Sequence, residues 1–288
     1  MDCGKNEAPL VSIGLPVYNE VTYIEETLKS LLALSYPNIE IIISDNASAD
    51  GTFDLCQKLC REVENVALHR FSENKGATAN FQYVLGQAKG KYFMWASGHD
   101  LWAPNLIDSY VRALEDNPDA NIAFSSAVWI DQFGKSIDKI SGWSDTRGMG
   151  AMSRFFTILW GNMHPLLGLI RRASLNDINK IGSFIGADLA LLADLSLKGE
   201  FLYVTETKWF RREFRKELDH SEKMERYRRE GFIIRGGVFS WIFPMFGLPM
   251  SLIGIAIRSN LPIGLKFWML TGLVFSLPAR YIAGKRRL

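Results

Sequence analysis

Four short apolar runs, rich in β-branched and aromatic residues, constrain this chain more than any other feature: VSIGL (11–15), IEIIIS (39–44), VALHRF (66–71) and KYFMWAS (91–97). Each has the length and composition of a strand, and the segments between them carry helical spacing instead. After the first run, Ile24, Leu28, Leu31 and Leu32 fall on one helical face; after the second, Phe53, Cys56 and Cys60 turn inward together. ENKGATANFQYVLGQA follows the third run as a loop and helix, and APNLIDSYVRALEDN follows the fourth with Leu106, Ile107, Tyr110, Val111 and Leu114 in step. Strand–helix alternation of this kind predicts an α/β domain whose mostly parallel central sheet is flanked by helices through right-handed crossovers. The near-continuous IEIIIS run fits a sheet covered on both faces.

In such sheets ligands gather at the carboxyl ends of the strands. Polar side chains concentrate at those ends: Tyr18, Asn19 and Glu20 after the first strand, Asp45 and Asn46 after the second, His99 and Asp100 after the fourth. Asp45, directly at a strand end, is expected to contact ligand, whereas Ser48 and Asp50 read as turn and helix-cap residues. No G-x-G-x-x-G follows the first strand and no G-x-x-x-x-G-K-[ST] occurs, so neither a nicotinamide-type dinucleotide site nor a P-loop is supported. The 288 residues carry a net charge of +2, too small to predict nucleic-acid binding from electrostatics. Three cysteines, two of them at the helical spacing of Cys56 and Cys60, indicate reduced thiols rather than a disulfide frame or a zinc site.

VSIGLPVYNE, IEIIISDNASADGT, ENKGATANF and GKYFMWASGHDLWAPN, in that order and at those separations, resemble family 2 glycosyltransferases of the GT-A fold. The resemblance is close over residues 9–130 and looser to about 215. It implies a Rossmann-like domain over 1–230, with a nucleotide-binding half at about 9–100 and an acceptor half at 101–230. It also implies a nucleotide-sugar donor, an inverting single displacement and a divalent cation. Carried over residue by residue, Pro16, Val17 and Tyr18 match the segment along the nucleobase. Glu20 and Asp45 match acids of the nucleoside pocket, and Asn74 and Gly76 match the loop that shapes the donor pocket.

The family's Asp-x-Asp with a following acid is altered here to Ser97-Gly98-His99-Asp100. Ser97 falls at the first Asp position and His99 at the second, with Asp100 the surviving acid. Three readings stay open: a cation held by His99 and Asp100, with Mn²⁺ favoured over Mg²⁺ because imidazole suits it better; a diphosphate neutralised instead by Lys75, Arg211 or Arg212; or an inactive site. An inactive site would make the chain a nucleotide-sugar-binding subunit of a polysaccharide assembly complex in the cell envelope. A sugar nucleotidyltransferase would need a Gly-rich basic loop after the first strand, and PVYNE is not one.

The family places its base at the start of a helix in the second half of the domain. In FIGADLALLADLSLKGEF, Asp188 takes that place, with Asp194 deeper on the same helix. His164, in WGNMHPLLGLIRR, lies where acceptor-binding segments occur, and His220 falls in the charged run before the tail. From residue 231 the chain becomes a hydrophobic helical tail, in which 236–257 runs 22 residues with no charge. That length reaches the roughly 20 residues of a membrane span. Yet four prolines, Arg258 and Lys266 favour helices lying in the membrane interface. The expected partners are a nucleotide sugar, a lipid-linked or glycan acceptor and membrane lipids, with no nucleic acid and homo-oligomers allowed. The expected location is the cytoplasmic face of the membrane, attached through the tail, because nucleotide sugars are cytosolic.

Overall fold

A computed structural model describes residues 8–139, 145–161, 164–176, 184–214 and 247–285. The first half alternates as the apolar runs require: β1 (Val11–Val17), α1 (Ile24–Leu32), β2 (Ile39–Asp45), α2 (Thr52–Cys60), β3 (Val66–Arg70), α3 (Ala77–Gln87) and β4 (Tyr92–Trp95). β5 (Leu101–Trp102), α4 (Leu106–Asp116), β6 (Ala120–Ile130), α5 (Ala151–Trp160), β7 (Leu169–Arg171), α6 (Ala187–Lys198) and β8 (Glu200–Arg212) follow. The tail supplies α7 (Gly247–Arg258) and α8 (Ile263–Lys285).

The eight strands form one sheet in the order β3-β2-β1-β4-β7-β6-β8-β5. It is mixed rather than simply parallel. β1 pairs in parallel with β2 and β4, β2 with β3, and β6 with β8, while β7 runs against both β4 and β6 and β5 runs against β8. The antiparallel β7 escapes a sequence reading because it is only three residues long. Six strands therefore still deliver their carboxyl ends to one edge.

The sheet must also curl. Six residue steps separate Trp95 at the end of β4 from Leu101 in β5, a reach of about 20 Å when fully extended. Those two strands stand four positions apart, about 19 Å in a flat sheet. Gly98 and His99 form a turn, so the loop is not extended. The far edge accordingly comes back over α1: Thr27 Oγ1 donates to the Asp100 carbonyl at 3.0 Å, and the Trp102 N–H donates to Ser30 Oγ at 3.4 Å.

Helices cover both faces, which is why the strands of β1 and β2 are buried almost throughout. One core lies between the sheet and α1, α2 and α4, with Ile13, Ile24, Leu28, Ile43, Tyr110 and Leu114 at its centre. The other lies beneath α3, α5, α6 and the tail helices, with Phe93, Phe155, Leu192, Phe201, Leu252 and Leu273. All five apolar residues expected to face inward from α4 do so. Leu32 does not: it is 39 % exposed at the last turn of α1, and Phe53 is only half-buried. Cys56 and Cys60 are buried free thiols. Burial pushes the Cys56 thiol up to about 12, so it stays protonated and inert.

Candidate active site

The carboxyl edge gathers the residues singled out in the sequence. Register places Val17 beside Asp45 and Asp45 beside Arg70 at the ends of β1, β2 and β3. The loops leaving those strands then bind one another. The Asn19 N–H donates to Ser48 Oγ at 2.9 Å and the Ala49 N–H returns to Asn19 Oδ1 at 3.0 Å. The Glu20 N–H donates to Thr52 Oγ1 at 2.8 Å, and the Val21 N–H donates to Asp50 Oδ2 at 3.1 Å. Asn19 and Ala47 both hold positive φ, 54° and 59°, a conformation that non-glycine residues seldom adopt and that strand-end binding loops retain. Ser48 and Asp50 are turn residues, as expected. Asp50 also accepts from the Thr52 N–H at 3.0 Å, and these bonds outweigh its burial to hold its pKa below the ordinary value.

Asp45 is fully buried. Its Oδ2 accepts from the Ser48 N–H at 3.1 Å and lies 3.3 Å from Arg70 Nε, while its Oδ1 has no hydrogen-bond partner among the described residues. An orphaned carboxylate oxygen is costly in a fold. At this strand end it offers an acceptor to a bound N–H or O–H. Arg70 also donates to the Ser48 carbonyl at 2.8 Å and lies 4.8 Å from the Phe53 ring centroid, so its charge serves the loop.

Asn74 and Gly76 sit in a small polar hub. Asn74 Oδ1 accepts from Asn46 Nδ2 and from the Gly76 N–H, both at 2.8 Å, and the Lys75 N–H donates to Asn46 Oδ1 at 2.8 Å. Gly76, at φ 83° and ψ 162°, occupies a backbone region open essentially to glycine. Asn46, the member that ties the β2 end to this loop, was not distinguished from its neighbours by sequence. Asn80 of α3 is another: buried, it donates from Nδ2 to the Val17 carbonyl at 3.2 Å.

The SGHD loop closes the fourth side. His99 Nδ1 lies 3.0 Å from Glu20 Oε1, and its Nε2 lies 3.0 Å from Ser97 Oγ. Glu20 is thereby drawn to the altered metal motif. Gly98 permits this approach, since a Cβ there would come within 2.9 Å of Glu20 Cγ and 3.2 Å of Val17 Cγ1. Asp100 turns the other way: it is buried, its Oδ1 accepts from the Arg212 N–H at 2.8 Å, and it ties the loop to the end of β8. Burial pushes its carboxyl above the ordinary value, opposed by the His99 ring and the Arg212 N–H.

Two of the three cations proposed for a diphosphate are spoken for. Lys75 pairs with Glu73 at the surface. Arg212 is walled in and structural: it donates to the His99 carbonyl at 3.0 Å, to the Asp131 and Gln132 carbonyls at 3.3 and 3.2 Å, and to Glu26 Oε2 at 2.6 Å. It also lies 4.6 Å from the Tyr23 ring centroid. Only the alternation along β8 distinguishes it from Arg211, which has the opposite orientation. The Arg211 guanidinium lies 4.8 Å from the Trp129 ring centroid and makes no hydrogen bond or ion pair among the described residues. Burial lowers its pKa, against which the nearby Asp100 carboxyl acts, but an arginine stays charged.

Among the described residues, no three His, Cys, Asp or Glu side chains stand close enough together to hold a metal ion. His99 and Asp100 therefore supply two protein donors at most, and any cation there completes its shell with phosphate oxygens and water.

Asp188 lies in the first turn of α6, exposed, its Oδ1 accepting from the neighbouring Leu189 N–H at 2.9 Å. The far end of α6 is fixed to the opposite edge of the sheet, where the Glu200 N–H donates to the Asp119 carbonyl at 3.0 Å beside the start of β6. The helix is 12 residues, about 18 Å, long. Asp188, in its first turn, stands at the end of α6 away from that edge. Arg280 of α8 lies close enough to Asp188 for the two charges to interact. His164 opens the 3₁₀ turn His164–Leu167, but its side chain lies outside what is described, as do His220 and residues 236–246 of the apolar run.

An α/β sheet curled in this way, with loops converging on its carboxyl edge, defines the GT-A class of nucleotide-sugar folds. The sequence model for glycosyl transferase family 2 matches residues 12–178, more than half of the chain, and the chain belongs to that family. An uncharacterized glycosyltransferase of Rickettsia felis is 37% identical over 138 residues, 45% of this chain and 21% of that protein. TuaG of Bacillus subtilis, whose name assigns it to teichuronic acid biosynthesis, is 32% identical over 134 residues, 46% of this chain and 53% of its own length. The chain thus spans from about a fifth to half the length of these relatives. The solved fold of S. aureus TarS 1-349 in complex with UDP-GlcNAc superposes with a TM-score of 0.65 at 17% identity, covering 93% of this chain and 72% of that one. The mannosyltransferase PcManGT of Pyrobaculum calidifontis, in complex with GDP-Man and Mn²⁺, superposes at 0.52 and 18% identity, covering 94% of this chain and 81% of that one.

Proposed function

We propose that this chain is an inverting glycosyltransferase that moves one sugar from a nucleoside diphosphate donor to a hydroxyl of a lipid-linked or cell-surface glycan. The observation that carries the reading is the mutual bonding of the β1, β2, β3 and β4 loops around one edge, from Asn19–Ser48 through Asn46–Asn74 to Glu20–His99. The nucleoside lies along Pro16–Tyr18, with the unpartnered Oδ1 of Asp45 accepting from its base or ribose. Tyr18 is 46% exposed, as a side chain must be to stack on a base. Arg211 and His99 face the diphosphate end. The complexes of TarS with UDP-GlcNAc and of PcManGT with GDP-Man and Mn²⁺ support a nucleotide-sugar donor for this fold.

In the chemical step the acceptor oxygen attacks the anomeric carbon, the bond from that carbon to the phosphate oxygen breaks, and the nucleoside diphosphate leaves. The Asp188 carboxylate takes the acceptor's hydroxyl proton. A divalent cation, Mn²⁺ before Mg²⁺, would be held by His99 and Asp100 once His99 leaves Glu20 or Ser97 and Asp100 turns from β8, and would supply positive charge to the leaving group. The catalytic part faces the cytosol, where the donors are made.

Asp188→Asn is expected to lower kcat by about 10²–10⁴-fold while donor binding, measured by calorimetry, stays within twofold. Near-normal turnover would remove Asp188 from the base role. Donor binding with no transfer to any acceptor in the unaltered chain would instead favour a binding subunit.

A further inference from the structure

We propose that α7 and α8 form an interfacial docking surface for an anionic lipid bilayer, lying on the membrane without crossing it. α8 has two faces. Met269 and Leu273, one turn apart, are buried in the core shared with α5 and α7. Ile263, Phe267, Trp268, Val274 and Phe275 are 61–88% exposed. Positions 267, 268, 274 and 275 repeat at seven residues, so they share one side of the helix. A run of large apolar side chains left in water on one face marks a contact surface. Beside them, an open apolar groove of about 330 Å³ runs between the two helices, lined by Ile253, Leu270, Leu273, Val274, Leu277 and Pro278.

Charge selects a bilayer as the occupant. None of the 31 Asp and Glu residues falls after Glu230, whereas seven of the 33 Lys and Arg do: Arg235, Arg258, Lys266, Arg280, Lys285, Arg286 and Arg287. The net +2 of the chain therefore divides into −5 before this point and +7 after it. Cations beside exposed aromatic and aliphatic side chains complement anionic headgroups over an acyl layer, with tryptophan suited to the boundary. A second copy of the chain would bring like charge against like. Spanning is disfavoured for a related reason: Lys266 and Arg280 stand 14 residues apart, about 21 Å along α8, inside the roughly 30 Å hydrocarbon layer. Among the described residues no helix is long and apolar enough to cross a membrane.

The surface is close to the chemistry. Arg280 of α8 donates to the Leu159 carbonyl at the end of α5 and interacts with the charge of Asp188. Arg280 falls seven residues after the buried Leu273, on the opposite side of α8 from the docking face. Docking therefore holds the first turn of α6 one helix diameter, ~10 Å, from the bilayer surface, within reach of a lipid-linked acceptor that extends from it. This last step rests on the transferase reading; the docking itself does not.

The test is flotation of the full chain with phosphatidylcholine vesicles, with and without phosphatidylglycerol, for the unaltered protein and a Trp268→Ser/Phe275→Ser variant. Both positions are exposed, so circular dichroism should show an unchanged fold. The unaltered chain should float with the anionic vesicles, lose that binding as salt rises, and bind the neutral vesicles at least tenfold less. The double variant should partition at least tenfold less while hydrolysing donor at the same rate in solution. Failure to float with either vesicle, equal flotation of the variant, or a salt-stable dimer with no flotation would overturn the docking. Loss of donor hydrolysis in the unaltered chain would count against the transferase reading alone.

Discussion

Residues 8–130 and residues 247–285 use apolar side chains in opposite ways. In the first region the central strands β1, β2 and β4 are enclosed almost throughout and the polar side chains gather at one edge, each loop tied to the next. In the second, a helix with as high an apolar content leaves Ile263, Phe267, Trp268, Val274 and Phe275 in water. The difference teaches that apolar content alone says little about a core. What matters is whether the pattern has a partner face inside the fold, as both sides of β2 do and, among the described residues, one side of α8 does not.

That contrast can be broken experimentally. The largest effect is expected at Arg212, where Arg212→Met strips donors from three part-buried carbonyls and from Glu26. Urea unfolding should show a loss of about 3 kcal/mol. Next comes Gly98→Ala: its Cβ would crowd Glu20 and Val17, costing about 1–3 kcal/mol and weakening donor affinity by roughly tenfold. Smaller still is the pH response of Asp100. Its folded pKa is raised, so the folded state holds that proton more tightly, and its contribution to stability is lost as pH rises through the folded value. Asp100→Asn should flatten that part of a stability-against-pH curve, and an unchanged curve would show that another group sets it. The smallest effect belongs to the tail, where Trp268→Ser alone should change the unfolding free energy by no more than about 0.5 kcal/mol. A loss as large as that at Arg212 would mean that the exposed face has a partner within the fold.

Much of the first region was legible because period and composition agree with the final environment. Ile41, Ile42 and Ile43 in succession require two covered faces, and Leu106, Ile107, Tyr110, Val111 and Leu114 require one. Asp45 and His99 stand out as candidates by their position at strand ends. The antiparallel β7 was not, because LIR is too short to carry a period. Nor was the role of Arg212, since its partners lie 80 or more residues away and nothing local marks it off from Arg211. The Glu20–His99 contact is likewise a long-range one, bridging 79 residues, which the parallel pairing of β1 with β4 brings together.

The central claim is that the loops of β1, β2 and β4 make one site for a sugar joined to a nucleoside diphosphate. It is tested most directly by titrating the purified full chain with a panel of nucleoside diphosphate sugars, reading heat of binding and slow release of free nucleoside diphosphate. The account predicts that donors of one nucleobase bind, and that Asp45→Asn and Tyr18→Ala each weaken them by about tenfold or more. Failure of every donor to bind at millimolar concentration, or binding untouched by both substitutions, would contradict it.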